Sequence, residues 1–177
     1  MCKIKFLEDT SEGYGHRTYI NAASADVTLA FAVDFTTSGE KCTKDAALKA
    51  NKLYIPINLD DSNWKVDIPY TAWMIKELHS LNIAGNGIYT LSKYNISQDE
   101  CDRMIYYFIE RLVNEYGCKI TSIRSGGQTG VDESGLKAGV KLNIETISLC
   151  PKGWKYRTPK KDICDDQMFK ERFKEYI

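Results

Sequence analysis

The stretch Ser125-Gly126-Gly127-Gln128-Thr129-Gly130 decides the fold through what flanks it. Upstream, Lys119–Arg124 reads as a strand; downstream, Val131–Leu142 reads as a helix. A Gly-rich turn from strand to helix lets the backbone approach an anion, while the first N–H groups of the helix supply donors and a positive dipole end. The turn matches neither the P-loop, which needs Gly-Lys-Ser/Thr, nor the dinucleotide Gly-x-Gly-x-x-Gly pattern. A plain tight turn would also use paired glycines. Gly-Gly, a hydroxyl, Gly and then Asp132 in the first helical turn is a more specific arrangement.

The same alternation runs outward along the chain. Ala25–Phe35 is nearly continuous in apolar and β-favouring residues, as expected of a strand buried on both faces in a parallel sheet. Glu40–Asn51 follows as a helix, then Lys52–Leu59 as a strand whose Pro56 predicts an edge position or a bulge. A turn at Asp60-Asp61-Ser62-Asn63 leads to helical spacing over Tyr70–Leu81 and a short strand Leu81–Ala84. Ser97 and Glu100 form a capping box for a helix running to about Tyr116, where Gly117 stops it. Strand Glu145–Leu149 and a charged helix from about Asp165 complete the chain, and the first 24 residues read as an irregular lead-in. Strands alternating with helices predict one α/β domain over residues 1–177, a Rossmann-like, doubly wound, mainly parallel sheet of about five strands.

The 177 residues suffice for a sizeable single core, since folding at this length hides roughly 70% of the unfolded chain's surface. Twenty-four basic residues balance 24 acidic ones, which argues against nucleic acid as the main partner. None of the six cysteines sits in a C-x-x-C pair and there are only two histidines, so no metal site is expected. With neither an apolar signal segment nor a membrane-length run, free, mostly buried thiols in a reducing cytoplasm are expected, and no membrane partner.

Ligands in open α/β sheets bind beyond the carboxyl ends of the strands. Three such ends share one chemical character: Thr37-Ser38-Gly39-Glu40, Gly85-Asn86-Gly87 and Ser125–Gly130. Their convergence predicts a crevice for a phosphorylated, nucleotide-like small molecule, with no cofactor demanded.

Three separated blocks carry a family resemblance. Ser125–Asp132, followed after a helix by Cys150-Pro151-Lys152-Gly153, resembles the YpsA-type branch of the SLOG superfamily, Rossmann-like proteins related to the LOG phosphoribohydrolases and the DprA core. Tyr14-x-x-Arg17-Thr18-x-x-Asn21, with Ser24–Leu29 and Gly39, resembles a second block, and Asn82–Gly87 the family's opening strand and turn. The second block usually follows the Gly-rich segment and here precedes it, so the chain resembles a circularly permuted member. Similar permuted chains occur among tailed-phage proteins. The resemblance implies a nucleotide- or ADP-ribose-type ligand and a homo-oligomer, dimeric or higher. It also implies one of two roles: holding a nucleotide signal such as a TIR-derived defence messenger, or hydrolysing an N-glycosidic bond. LOG enzymes do the latter with a Glu paired to an Arg; Asp132 stands at that position, with Glu133 beside it and Arg17 for the phosphate. The Thr129-Gly130 order is reversed and the carboxylate is shorter than in those enzymes.

Each residue has a plainer reading as well. Asp132 is a general base or ribose-binding carboxylate, or it complements the helix dipole. Arg17 clamps a phosphate, or is a solvated loop arginine. Glu40 faces the ligand or merely occupies a first helical turn. Lys152, Trp154 and Arg157 cover a phosphate and stack a base, or form a solvated loop. Asn86 reads a ribose hydroxyl or tolerates a left-handed turn.

Overall fold

The computed structural model describes residues 3–60 and 62–177. Six strands form one all-parallel sheet: Ile4–Glu8 (β1), Val27–Ala32 (β2), Leu53–Asn58 (β3), Ser80–Gly85 (β4), Ser122–Ser125 (β5) and Glu145–Cys150 (β6), in the order β1-β6-β5-β4-β2-β3. The helices are Tyr14–Ala23 (α1), Ser38–Lys49 (α2), Asp67–Met74 (α3), Ile88–Leu91 (α4), Gln98–Asn114 (α5), Val131–Lys141 (α6) and Asp166–Glu171 (α7). A separate antiparallel hairpin pairs Lys155–Arg157 (β7) with Asp162–Cys164 (β8).

The alternation of side chains along β2 builds the two layers. Val27, Leu29 and Phe31 enter the main core with Phe108, Ile105 and Leu112 of α5, and Phe31 meets Phe108 edge to face at 5.1 Å. The intervening positions, Thr28, Ala30 and Ala32, are small. On the α1–α2 side the packing is of small residues too: Ala22 of α1 meets Ala46 and Ala47 of α2. Large residues fill one face of the sheet, and small ones leave space on the other.

Pro56 lies in β3, which pairs with β2 alone, so the missing N–H falls on the sheet's edge as its sequence position predicts. From β2 the chain winds outward to β3, whereas from β4 it winds the other way through β5 and β6. The connections diverge between β2 and β4, and a crevice opens there.

The structure departs from the sequence-based expectation before residue 25, over Tyr70–Leu81 and at the β7–β8 hairpin, which the sequence pattern does not mark. Residues 1–24 carry β1 and α1 rather than an irregular lead-in. β1 exposes most of its Ile-Lys-Phe-Leu-Glu. α1 has no side-chain cap and buries Arg17 and Asn21, so apolar periodicity has little to register. The sheet therefore has six strands, not five. The helix expected over Tyr70–Leu81 is the shorter α3, because Leu81 belongs to β4, where it pairs in register with Val27 and Ile123. Among the described cysteines, Cys101, Cys118 and Cys150 are buried, Cys42 is half-buried, Cys164 is exposed, and all are free. Met1, Cys2 and Asp61, the last in the expected turn 60–63, lie outside the described residues.

Candidate functional site

A cavity of about 400 Å³ occupies the crevice and brings the three expected turns together. Its walls are Thr37 to Glu40 at the start of α2, Asn82 to Gly87 at the end of β4, and Gly126, Gln128 and Thr129 of the Gly-rich turn. Asp132, Arg157 and the α1 residues Tyr14, Arg17 and Asn21 complete it.

The Gly-rich turn is shaped by what it must fit around. Gly130 has φ +88°, and a Cβ there would stand 2.5 Å from the carbonyl oxygen of Asn86. At Gly126 a Cβ would fall on the guanidinium of Arg17. The polar groups of this turn are largely engaged by the protein. Ser125, fully buried, donates to the Ile83 carbonyl at 2.6 Å, and the N–H of Gly130 donates to Oε1 of Gln98 at 2.7 Å. Gln128 donates to the Lys155 carbonyl and accepts from the Arg157 N–H, and the Thr129 hydroxyl donates to the Arg157 carbonyl at 2.6 Å. These three bonds clip the β7–β8 hairpin to the rim and bring Arg157 into the cavity lining. Thr129 therefore neither caps α6 nor points its hydroxyl proton at a ligand.

Arg17 and Asp132 form a buried ion pair with Nη1 and Oδ2 3.2 Å apart, and Asp132 also accepts from the Gln128 N–H. Burial pushes the Asp132 carboxyl up from its ordinary range, while the Arg17 guanidinium pulls it down. Glu40, 3% exposed, accepts from the Asn86 amide at 3.4 Å. Burial first, then the carboxyls of Asp132 and Asp34, push its pKa up to about 8. Asn86 is occupied by the scaffold: its Oδ1 accepts from the N–H groups of Val33 and Asp34, stapling the end of β4 to that of β2. Its φ is not in the left-handed region.

Four buried polar atoms of residues that line the cavity have no hydrogen-bond partner in the protein: Tyr14 Oη, Arg17 Nε, Asn21 Nδ2 and Glu40 Oε2. Tyr14 and Asn21 were quoted in the sequence only as part of a family-like block. The signal that marks them is their spacing with Arg17: positions i, i+3 and i+7 share one face of a helix.

Other expected site residues lie elsewhere. Glu133 points away from the cavity into a clamp with Lys137 at 2.7 Å and Arg172 at 2.6 Å, and Arg172 also donates to the Gly127 carbonyl. Gly127 itself, at φ +71°, packs against Phe169 and Ser148. Trp154 packs edge-on against Phe6 and Phe169 in a second core, and Lys152 is exposed; neither lines the cavity. Among the described residues, no group of three His, Cys, Asp or Glu side chains is placed to hold a metal ion, and no helix is long and apolar enough to cross a membrane.

A six-stranded parallel sheet with a polar crevice at its switch point defines a Rossmann-like α/β protein. More specifically, the chain belongs to the circularly permutated YpsA SLOG family, whose model matches residues 3–98, more than half of the 177. The match spans α1, α2 and β4 and ends before the Gly-rich turn. No curated protein and no solved structure matches the chain. Family membership points to a nucleotide-related ligand or a phosphoribohydrolase-like role.

Proposed function

We propose that the crevice binds a phosphorylated nucleoside derivative of ADP-ribose type and holds it uncleaved, as a protein that senses or sequesters a nucleotide signal would. The four unpartnered polar atoms of cavity-lining residues carry this reading. A buried polar group without a partner costs about 1–3 kcal/mol, and a polar ligand that bonds all four recovers that cost. Donors dominate, through Tyr14, Arg17 and Asn21, which suits the oxygen-rich surface of a sugar phosphate. Arg157, on the rim, adds a second cation.

Cleavage of an N-glycosidic bond is the second reading, favoured by the buried pairing of Arg17 with Asp132. Asp132 would take a proton from water, whose oxygen attacks C1′ as the base departs with the bonding electrons. The holding reading has the better support, because Oδ2 of Asp132 already accepts from Arg17 and from the Gln128 N–H of the turn.

One experiment separates them. The protein is incubated with ADP-ribose, NAD and AMP, its thermal shift is recorded, and the small molecule is recovered after denaturation. A raised Tm with intact ligand is expected. Release of free base would establish hydrolysis, and no shift with any of the three would contradict nucleotide binding.

A further inference from the structure

The cavity is lined by two buried carboxyl groups, Glu40 and Asp132, and one buried guanidinium, Arg17. Arg17 is paired with Asp132, and Glu40 is left without a cation. The groups that face Glu40 are Asp132 from α6, Asp34 from the β2–α2 connection, Asn86 from the end of β4 and Tyr54 from β3. Asp132 and Asp34 would repel a negative charge on it, Tyr54 is a phenol held neutral by burial, and Asn86 offers one long hydrogen bond. One oxygen of Glu40 takes that bond, and the other, Oε2, is buried without a hydrogen-bond partner in the protein, in a residue that lines the cavity. A naked carboxylate oxygen at this place would be costly, whereas a carboxylic acid hydroxyl lacks only an acceptor.

We propose that Glu40 serves the site as a neutral carboxylic acid, donating a hydrogen bond from Oε2 to an uncharged acceptor on the nucleoside part of the ligand. This role rests on the nucleotide-binding reading above. It differs from the ordinary use of an acidic residue in an α/β crevice, where a carboxylate accepts hydrogen bonds from ribose hydroxyls. Burial together with the two neighbouring carboxyls, which raises the proton affinity of Glu40 to about 8, agrees with the geometry. The sign of the effect on ligand affinity follows. The donor exists below that pH and is lost above it, so affinity falls as the solution becomes alkaline.

The test has a ligand-free arm and a binding arm. In the first, protein labelled with ¹³C at the glutamate carboxyls is titrated by NMR, and the Glu40 signal is assigned by its loss in Glu40→Gln. A midpoint near 8 is expected; one near the ordinary 4.5 overturns the proposal. In the second, calorimetric titration with ADP-ribose is run from pH 6 to 9.5. Wild-type affinity should hold to about pH 7.5 and then fall toward tenfold per pH unit. Glu40→Gln, whose amide keeps a donor, should bind within about threefold of wild type at pH 7 and show no such fall, while Glu40→Ala should bind about tenfold more weakly. Affinity indifferent to pH, or a Gln variant as weak as Ala, overturns the donor role. AMP and ribose 5-phosphate then locate the acceptor: pH dependence with both places it on the ribose, and with AMP alone on the base. If wild type binds none of these, the nucleotide reading has failed, and the NMR midpoint still decides separately whether the carboxyl is protonated.

Discussion

Gln128 and Thr129 of the Gly-rich turn direct their side chains to the protein itself, closing bonds to Lys155 and Arg157. Tyr14, Arg17, Asn21 and Glu40 of α1 and α2 do the opposite, each keeping a buried polar atom without a partner. Both groups line the same cavity. The difference divides the labour: the turn sets the cavity's shape and holds the β7–β8 hairpin at its rim, and the helices present the chemistry. On the proposed reading, the Gly-rich motif marks the cavity, and the helices supply the side chains that meet the ligand.

The largest expected effect tests the α1 side. Arg17→Met removes the buried cation paired with the Asp132 carboxylate and should cost about 3–5 kcal/mol of unfolding free energy at pH 7, measured in urea. Without Arg17 the Asp132 pKa rises further. The loss should therefore grow as pH rises from 5 to 8, because the folded state must then give up a proton it prefers to keep. Adding Asp132→Asn should restore much of the stability but not the binding. Undiminished stability in Arg17→Met would remove the ion pair from the account.

Next in size is Gly126→Ala. The new methyl falls where the Arg17 guanidinium lies, so it joins the two regions in one substitution. ADP-ribose affinity should drop on the order of 100-fold, with stability reduced by about 1–3 kcal/mol. Equal affinity in a calorimetric titration would show that Arg17 does not need its present position. Smaller still is Thr129→Val, which deletes a satisfied bond to the Arg157 carbonyl. Chemical denaturation should show a loss of about 1 kcal/mol, with affinity changed by less than about twofold. A large loss of affinity with little loss of stability would return the turn's hydroxyl to the ligand. The slightest effect is kinetic: bound ligand should slow alkylation of Cys42, which lines the cavity, and leave the exposed Cys164 unchanged.

How much of this was legible in the sequence depended on which residues carry the signal. The buried runs of β2 and β6, the capping box of α5 and the edge proline of β3 announce themselves through apolar pattern and punctuation. The three turns were visible because small residues cluster at strand ends. α1 was not, because its inward face is Tyr14, Arg17 and Asn21, and a helix that turns polar groups inward looks like a loop to any reading based on hydrophobic period. The direction of Glu133 was hidden for a related reason. It is adjacent to Asp132, but successive helical residues lie about 100° apart, so one meets Arg17 and the other meets Lys137 and Arg172. Arg172 and Gln98, which fix the Gly127 carbonyl and the Gly130 amide, sit far away in the chain with no local mark at all.

The division of labour between helices and turn is tested most directly by Tyr14→Phe, with unfolding free energy and ADP-ribose affinity measured on the same preparation. The substitution deletes a buried hydroxyl that has no partner in the protein. The free protein should become more stable, by about 1 kcal/mol, while affinity falls about tenfold. A less stable protein whose affinity is unchanged would contradict the claim that this wall is built for a ligand.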